Sequence, residues 1–201
     1  MADRLYQRSK SFDASAGAFV DADGIKTSIA AAASVQTYLA PFNGTSTVGK
    51  AIASGAVSDF VSWPTVTNTS QSGKYVAAST IVFTGTYGGA VVSRTAALTT
   101  ANGSETVIAD GPLDHGSVTS IVVAAQVDTT GAFTFGWTGV GPKKGTGWML
   151  VAREAGTLVV AHADSGDDTF LIAAQQEHPA PVSRIYAAVT IDVSVFEYPR
   201  P

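Results

Sequence analysis

The sequence predicts an all-β protein, an antiparallel β-sandwich of jelly-roll-like or barrel-like form with an extended N-terminal arm and a C-terminal β-meander. Three observations lead to this prediction. From residue 35 onward, apolar and polar residues alternate with the period of two that is typical of strands. Turn residues, mostly Gly, Asn and Asp, separate the short candidate strands. The clearest helical run, residues 27–34, is shorter than a stable isolated helix.

Residues 118–140, VTSIVVAAQVDTTGAFTFGWTGV, are predicted to form a β-hairpin at the centre of the fold. A three-residue loop over 129–131 would place Gly131 where a left-handed backbone is needed. Side chains alternate between the two faces of a strand, so this loop length sets the register. On one face it pairs Val127 with Phe133, Ala125 with Phe135 and Val123 with Trp137, and Ile121 extends the first arm.

Other strands are predicted on both sides of this hairpin. Pro64 places its strand at an edge or a bulge, because proline cannot donate to the ladder. Gly88 and Gly89 are predicted to form a tight turn. The predicted strands cover residues 35–42, 60–69, 78–86, 90–100, 105–109, 148–152, 157–163, 169–173, 183–190 and 192–198.

The segment 141–145, Gly-Pro-Lys-Lys-Gly, is the most linker-like part of the chain and is the candidate domain boundary. The predicted organisation has three parts. Residues 1–34 form the arm, residues 35–141 form the sandwich, and residues 142–201 form the C-terminal meander. The last two parts are also compatible with one packed unit.

Composition excludes several classes of protein. The chain of 201 residues has no cysteine, which excludes disulfide frameworks, thiolate zinc sites and thiol nucleophiles. A net charge of −4 with 14% charged residues gives no electrostatic footprint for nucleic acid. No secretory signal and no apolar run of about 18 residues are recognisable, so a membrane partner is not expected. The low charge suits a protein whose surface is covered by neighbouring subunits.

Metal binding is not expected from the spacing of the ligand-type residues. No two histidines fall at a metal-binding spacing, and the acidic turn lacks the twelve-residue spacing and final glutamate of a calcium loop. The acidic turn is interpreted as turn capping, with weak Ca²⁺ or Mg²⁺ binding at a subunit contact as the alternative. These residues are His115, His162 and His178, and Asp164, Asp167 and Asp168 in DSGDD.

Signatures of catalysis are also missing, so the chain is predicted not to be an enzyme and to need no cofactor. There is no GxSxG elbow, no Walker loop and no GxGxxG followed by a helix. A Ser-His-Asp constellation stays open, because triads are spatial arrangements. Trp63, Trp137 and Trp148 would form a platform for sugars if they were exposed, although core packing is the commoner role of tryptophan in β-proteins.

Residues 156–199 resemble the spike-base proteins of phage heads and of gene transfer agents. The resemblance rests on a Gly-Thr turn, a strand over 158–161, the turn Gly166-Asp167 and a strand over 181–186 that carries Arg184 and continues to Ala187. Residues 72–91 and 118–137 are similar to β-rich structural proteins that are encoded beside phage capsid genes.

This resemblance implies a bacteriophage virion structural protein, a capsid decoration or head spike-base protein that binds other virion subunits. A neck or tail structural protein is the alternative, and a carbohydrate-binding β-module of a virion or cell surface is the second alternative. The expected partners are major capsid or neck and tail subunits and further copies of the chain. The expected location is the virion, assembled in the cytoplasm of the bacterial host.

The predicted arm is the candidate for subunit contact. Its first ten residues are net basic through Arg4, Arg8 and Lys10. Large apolar residues are too few in the first thirty positions to offset the entropy of ordering them separately. We therefore expect the arm to order on a neighbouring subunit, with a flexible tail or a short helix over 27–34 as the alternatives.

Overall fold

A computed structural model of the chain confirms the predicted all-β class. It describes residues 9–13, 20–45, 60–69, 79–98, 104–126, 129–152, 154–162, 167–174, 182–189 and 192–199. Within these ranges no segment is helical, so none is a helix that could cross a membrane. The described strands whose residue-by-residue pairing is established are all paired in the antiparallel direction.

Twelve of the fifteen described strands overlap the runs predicted from alternation. The other three, at residues 9–13, 20–30 and 113–114, lie outside those runs, and the first two lie within the predicted arm. The described strands are β1 Ser9–Asp13, β2 Val20–Ala30, β3 Gln36–Leu39, β4 Val61–Thr69, β5 Thr80–Tyr87, β6 Ala90–Ala97, β7 Glu105–Ile108, β8 Leu113–Asp114, β9 Ser120–Val123, β10 Ala132–Gly141, β11 Thr146–Ala152, β12 Gly156–His162, β13 Asp167–Ile172, β14 Val182–Val189 and β15 Asp192–Pro199.

The chain divides into two compact units. The first contains Met1–Val20, Thr47–Val61 and Gly139–Pro201, and the second contains Asp21–Ser46 and Ser62–Thr138. The predicted segments 1–34, 35–141 and 142–201 have other boundaries, and that division stays a prediction.

In the first unit, the strands follow the order β1-β15-β11-β14, and β12 pairs with both β14 and β13. A meander would pair each strand with the next one along the chain, and among β11–β15 only β12 and β13 do so. The connectivity is therefore more complex than the predicted C-terminal meander. Among the residues of this unit whose side chains are described, the buried apolar ones are Phe60, Val61, Val140, Trp148, Leu150, Ala152, Leu158, Val160, Val182, Ile185 and Val195.

In the second unit, two sheets pack face to face, which confirms the predicted sandwich. One sheet has the order β3-β9-β5-β6, and the other contains β2, β10, β4 and β7, with β8 beside β4. The rings of Phe83 and Phe135, one from each sheet, meet edge to face with centroids 5.9 Å apart. Both side chains are completely buried, so apolar burial between the sheets stabilises this unit.

The central hairpin predicted for residues 118–140 is wrong, although the buried face is correct. β9 pairs with β3 and β5, whereas β10 lies in the opposite sheet. Strands in facing sheets point their inward side chains at the same core, so both arrangements produce the same alternation. Gly131 is not among the described glycines with positive φ. The predicted inward residues that are buried are Ile121, Val123, Phe133, Phe135 and Trp137.

Two further expectations differ from the structure. The alternative of a helix over 27–34 is wrong, because β2 runs through residue 30. Ile25 and Ile29 are both buried, and a spacing of four residues fits a strand as well as a helix. Pro64 does not mark an edge strand, because β4 has neighbours on both sides.

Candidate interaction surface

The outward side of the four-stranded sheet is defined by its register. Directly paired residues of an antiparallel ladder point to the same side. Buried Ile81, Phe83, Ile121 and Val123 point inward, so the alternate residues point outward. We call these residues the outer face: Thr37, Leu39, Thr80, Val82, Thr84, Thr86, Val91, Ser93, Thr95, Ala97, Ser120 and Val122.

None of the outer-face residues is charged. Hydroxyl groups are partly satisfied within the unit, as in the 3.2 Å hydrogen bond between the Thr84 and Ser93 side chains. The two edge strands carry the most exposed large aliphatic side chains of this face, with Leu39 69% and Val91 76% exposed. If another protein surface covered this face, no charged side chain of the face would lose its contact with water. The free-energy cost of desolvation would therefore be small.

Carboxylates lie at the boundary of the outer face instead of on it. Asp110 accepts a hydrogen bond from the Thr95 amide through Oδ1 (2.9 Å) and donates its own amide to the Thr95 carbonyl (3.0 Å), beside edge strand β6. Asp114 accepts from the Gly88 and Gly89 amides (3.1 and 3.3 Å) at the β5–β6 turn. The result is an uncharged centre with acidic groups at two sides, and a core without charge inside a polar rim is one feature of protein–protein interfaces.

A buried polar cluster is the second distinctive feature of this unit. His115 Nδ1 lies 3.1 Å from Ser62 Oγ, and the imidazole packs on the Trp137 ring with centroids 4.8 Å apart. Burial lowers the pKa of His115 from 6.5 to about 4, and the negative charge of Asp21 opposes that shift. The histidine is therefore neutral near pH 7.

This cluster contains a serine, a histidine and an aspartate, the residue types that the sequence left open as a triad. Ser62 is completely buried and His115 is only 5% exposed, so a substrate has no access to either side chain as folded. At Gly136, a Cβ atom would overlap the Asp21 carbonyl oxygen, so glycine lets β10 approach β2 closely. The arrangement therefore serves to hold β8 and β2 against β4 and β10.

The predicted subunit-contact residues are only partly described. Arg4 and Arg8 lie outside the described residues, and Lys10 lies in β1 at the register position of Val195. Their role in subunit contact stays a prediction.

The residues considered as candidates for metal and sugar binding are only partly described. No group of three or more His, Asp or Glu able to hold a metal ion occurs there. Asp164 and His178 lie outside it. Trp137 and Trp148 are buried in the core, which removes two of the three candidates for a sugar platform.

The outer face has a signal in the sequence that the search for motifs does not detect. Threonine and serine occupy five of the eight outward positions of β5 and β6, where lysine or glutamate would be ordinary on an exposed sheet.

Comparisons of the chain with protein families, curated proteins and solved structures find no match.

Proposed function

We propose that this chain is a bacteriophage virion structural protein, a capsid decoration or head spike-base protein that assembles by burying surface against other virion subunits. The observation that carries the proposal is the uncharged outer face with carboxylates at its boundary. The resemblance of residues 156–199 to phage spike-base proteins supports the same class.

The size of the face supports this role. Four strands spaced about 4.8 Å apart make a surface roughly 19 Å wide. Contact with a second surface of similar size removes on the order of 1,000 Å² from water in total, which is near the lower limit for a specific interface. A single contact of this size is weak, but a symmetric particle repeats it many times, and multivalency then stabilises the assembly.

A carbohydrate-binding module is supported less well. Sugar platforms use exposed aromatic rings, whereas Trp137 and Trp148 are buried and the outer face has no aromatic residue. Trp63 is half-buried and lies outside that face.

The test compares two matched variants in particles purified from cells that produce the complete virion. The double variant Leu39→Lys with Val91→Lys places charge on the outer face at two exposed positions. Leu171→Lys is the control, because Leu171 is an equally large aliphatic residue that is 87% exposed in the other unit. Both proteins should keep the wild-type circular dichroism spectrum and melting temperature, since exposed substitutions have little effect on stability.

The copy number of the chain per particle, measured by quantitative mass spectrometry, is expected to fall at least tenfold for the double variant and to stay unchanged for the control. A wild-type copy number for the double variant would show that the outer face does not contribute to incorporation into particles. Absence of the wild-type protein from purified particles would refute the virion role altogether.

A further inference from the structure

We propose that β1 exchanges between copies of the chain, so that Ser9–Asp13 of one copy completes the β15 edge of another. This inference deepens the proposed function, because it names a second copy of the chain as the partner and β15 as the acceptor. It depends on the first unit, whereas the outer face belongs to the second.

The ladder between β1 and β15 is regular and lies at the end of its sheet. It pairs Ser9 with Phe196, Ser11 with Ser194 and Asp13 with Asp192 without a register shift. β15 has β11 on its other side, so β1 is the outermost strand. Without β1, the free edge of β15 would present unpaired amides and carbonyls, which is a template for another strand.

Exchange preserves every backbone hydrogen bond of this ladder. A β1 strand from a second copy has the same sequence and meets the same β15 in the same register. The two arrangements therefore differ mainly in the entropy of bringing chains together, and a high local concentration removes most of that difference. Assembly into a particle supplies such a concentration.

The length of the connection restricts which copies are able to exchange. Residues 14–19, ASAGAF, connect β1 to β2. A connection of this length extends at most about 25 Å, so the acceptor must be an immediate neighbour. Exchange would therefore join adjacent copies of the chain and would not connect distant subunits.

The test uses the absence of cysteine from the chain. Two single variants, Ser11→Cys and Ser194→Cys, carry tags of different mass and are produced together in one cell. Directly paired strand positions have the Cα separation that a disulfide requires. After mild oxidation, non-reducing electrophoresis is expected to show a band that joins one chain of each variant and grows with protein concentration.

The matched control pairs Val151→Cys with Ser194→Cys, again on separate chains. These positions are paired between β11 and β15, which lie inside the sheet of one chain. No mixed band is expected for them. A double variant with Ser11→Cys and Ser194→Cys in one chain checks the register, because it must close a disulfide within the chain or between chains.

A disulfide that closes only within the double variant, without a mixed band from the single variants at any concentration or in particles, would refute exchange. A double variant that closes no disulfide at all would refute the β1–β15 register and the proposal with it. Either result leaves the copy-number test of the outer face unaffected, so failure of exchange is distinguishable from failure of the proposed function.

Discussion

Two stretches of the chain have similar sequence patterns and opposite structures. Residues 80–97 and residues 120–141 each contain two strands, and the first strand of each stretch alternates between buried and half-buried side chains. β5 and β6 pair with each other along their whole length. β9 and β10 lie in different sheets and face each other across the core. Alternation alone does not distinguish a hairpin from a connection between sheets.

The connection between the strands decides the outcome. Gly88 and Gly89 have φ of 60° and 80°, the backbone of a two-residue turn whose twist matches that of the paired strands. The backbone that follows β9 instead forms hydrogen bonds with other segments of the unit. The Ala124 amide donates to Thr80, and the Gln126 amide donates to Ala32. These bonds give the backbone after β9 partners other than β10.

The largest expected effect is on the core between the facing sheets. Phe135→Ala should lower the free energy of unfolding by about 3–5 kcal/mol, because the ring is completely buried and packs against Phe83. Chemical denaturation measures the change, and Val35→Ala, at a position 61% exposed, is the control with an expected change within about 0.5 kcal/mol. Equal effects for the two variants would show that this face is not a core.

The second largest expected effect is on the pH dependence of stability. It arises from the imidazole of His115, which packs on Trp137 in β10. Burial lowers the pKa of His115 to about 4, so the unfolded chain, with an ordinary value of 6.5, binds the proton more readily. Stability is therefore complete above pH 6.5 and is lost as the pH falls from 6.5 towards 4, by about 3 kcal/mol in all. His115→Gln should remove this part of the pH dependence, whatever its effect at pH 7.

Denaturation curves at several pH values test this expectation. Other acidic groups titrate in both proteins, so only the difference between the two slopes matters. Parallel dependence of stability on pH in the wild type and His115→Gln would contradict a neutral, buried histidine.

The smallest effect is at the turn of the true hairpin. An added Cβ at Gly89 meets no atom within 4 Å, so Gly89→Ala tests backbone strain alone. A positive φ costs an L-residue about 1–2 kcal/mol, and asparagine tolerates it better. Melting temperatures should fall in the order wild type, Gly89→Asn, Gly89→Ala. An unchanged melting temperature for Gly89→Ala would show that this turn does not determine the pairing of β5 with β6.

The sequence is sufficient for most strands from residue 35 onward and for their buried faces, because both follow from local periodicity. Alternation predicts Phe133 and Phe135 in the core for this reason, and both are completely buried. The strand over 20–30 lies outside the predicted runs. Turn chemistry was sufficient only where glycine made the connection specific, as at Gly88. The partner of β9 depends on contacts with β3 and β5, which no local pattern contains.

The same reason explains what was missed at the candidate surfaces. The hydrogen bond between Ser62 and His115 joins residues 53 positions apart, so spacing within a motif could not reveal it. The outer face becomes visible only after the register brings Thr37, Val122 and Val82 into one row.

The most direct test of this account is the pairing partner of β9, because both the sandwich and the outer face depend on it. In the otherwise cysteine-free chain, Val82→Cys with Val122→Cys joins positions that are paired between β5 and β9. Val122→Cys with Thr138→Cys joins positions that a hairpin of residues 118–140 would pair. We expect the first pair to form an intrachain disulfide readily and the second pair to remain reduced. The reverse result would contradict the four-stranded sheet and the interaction surface on it.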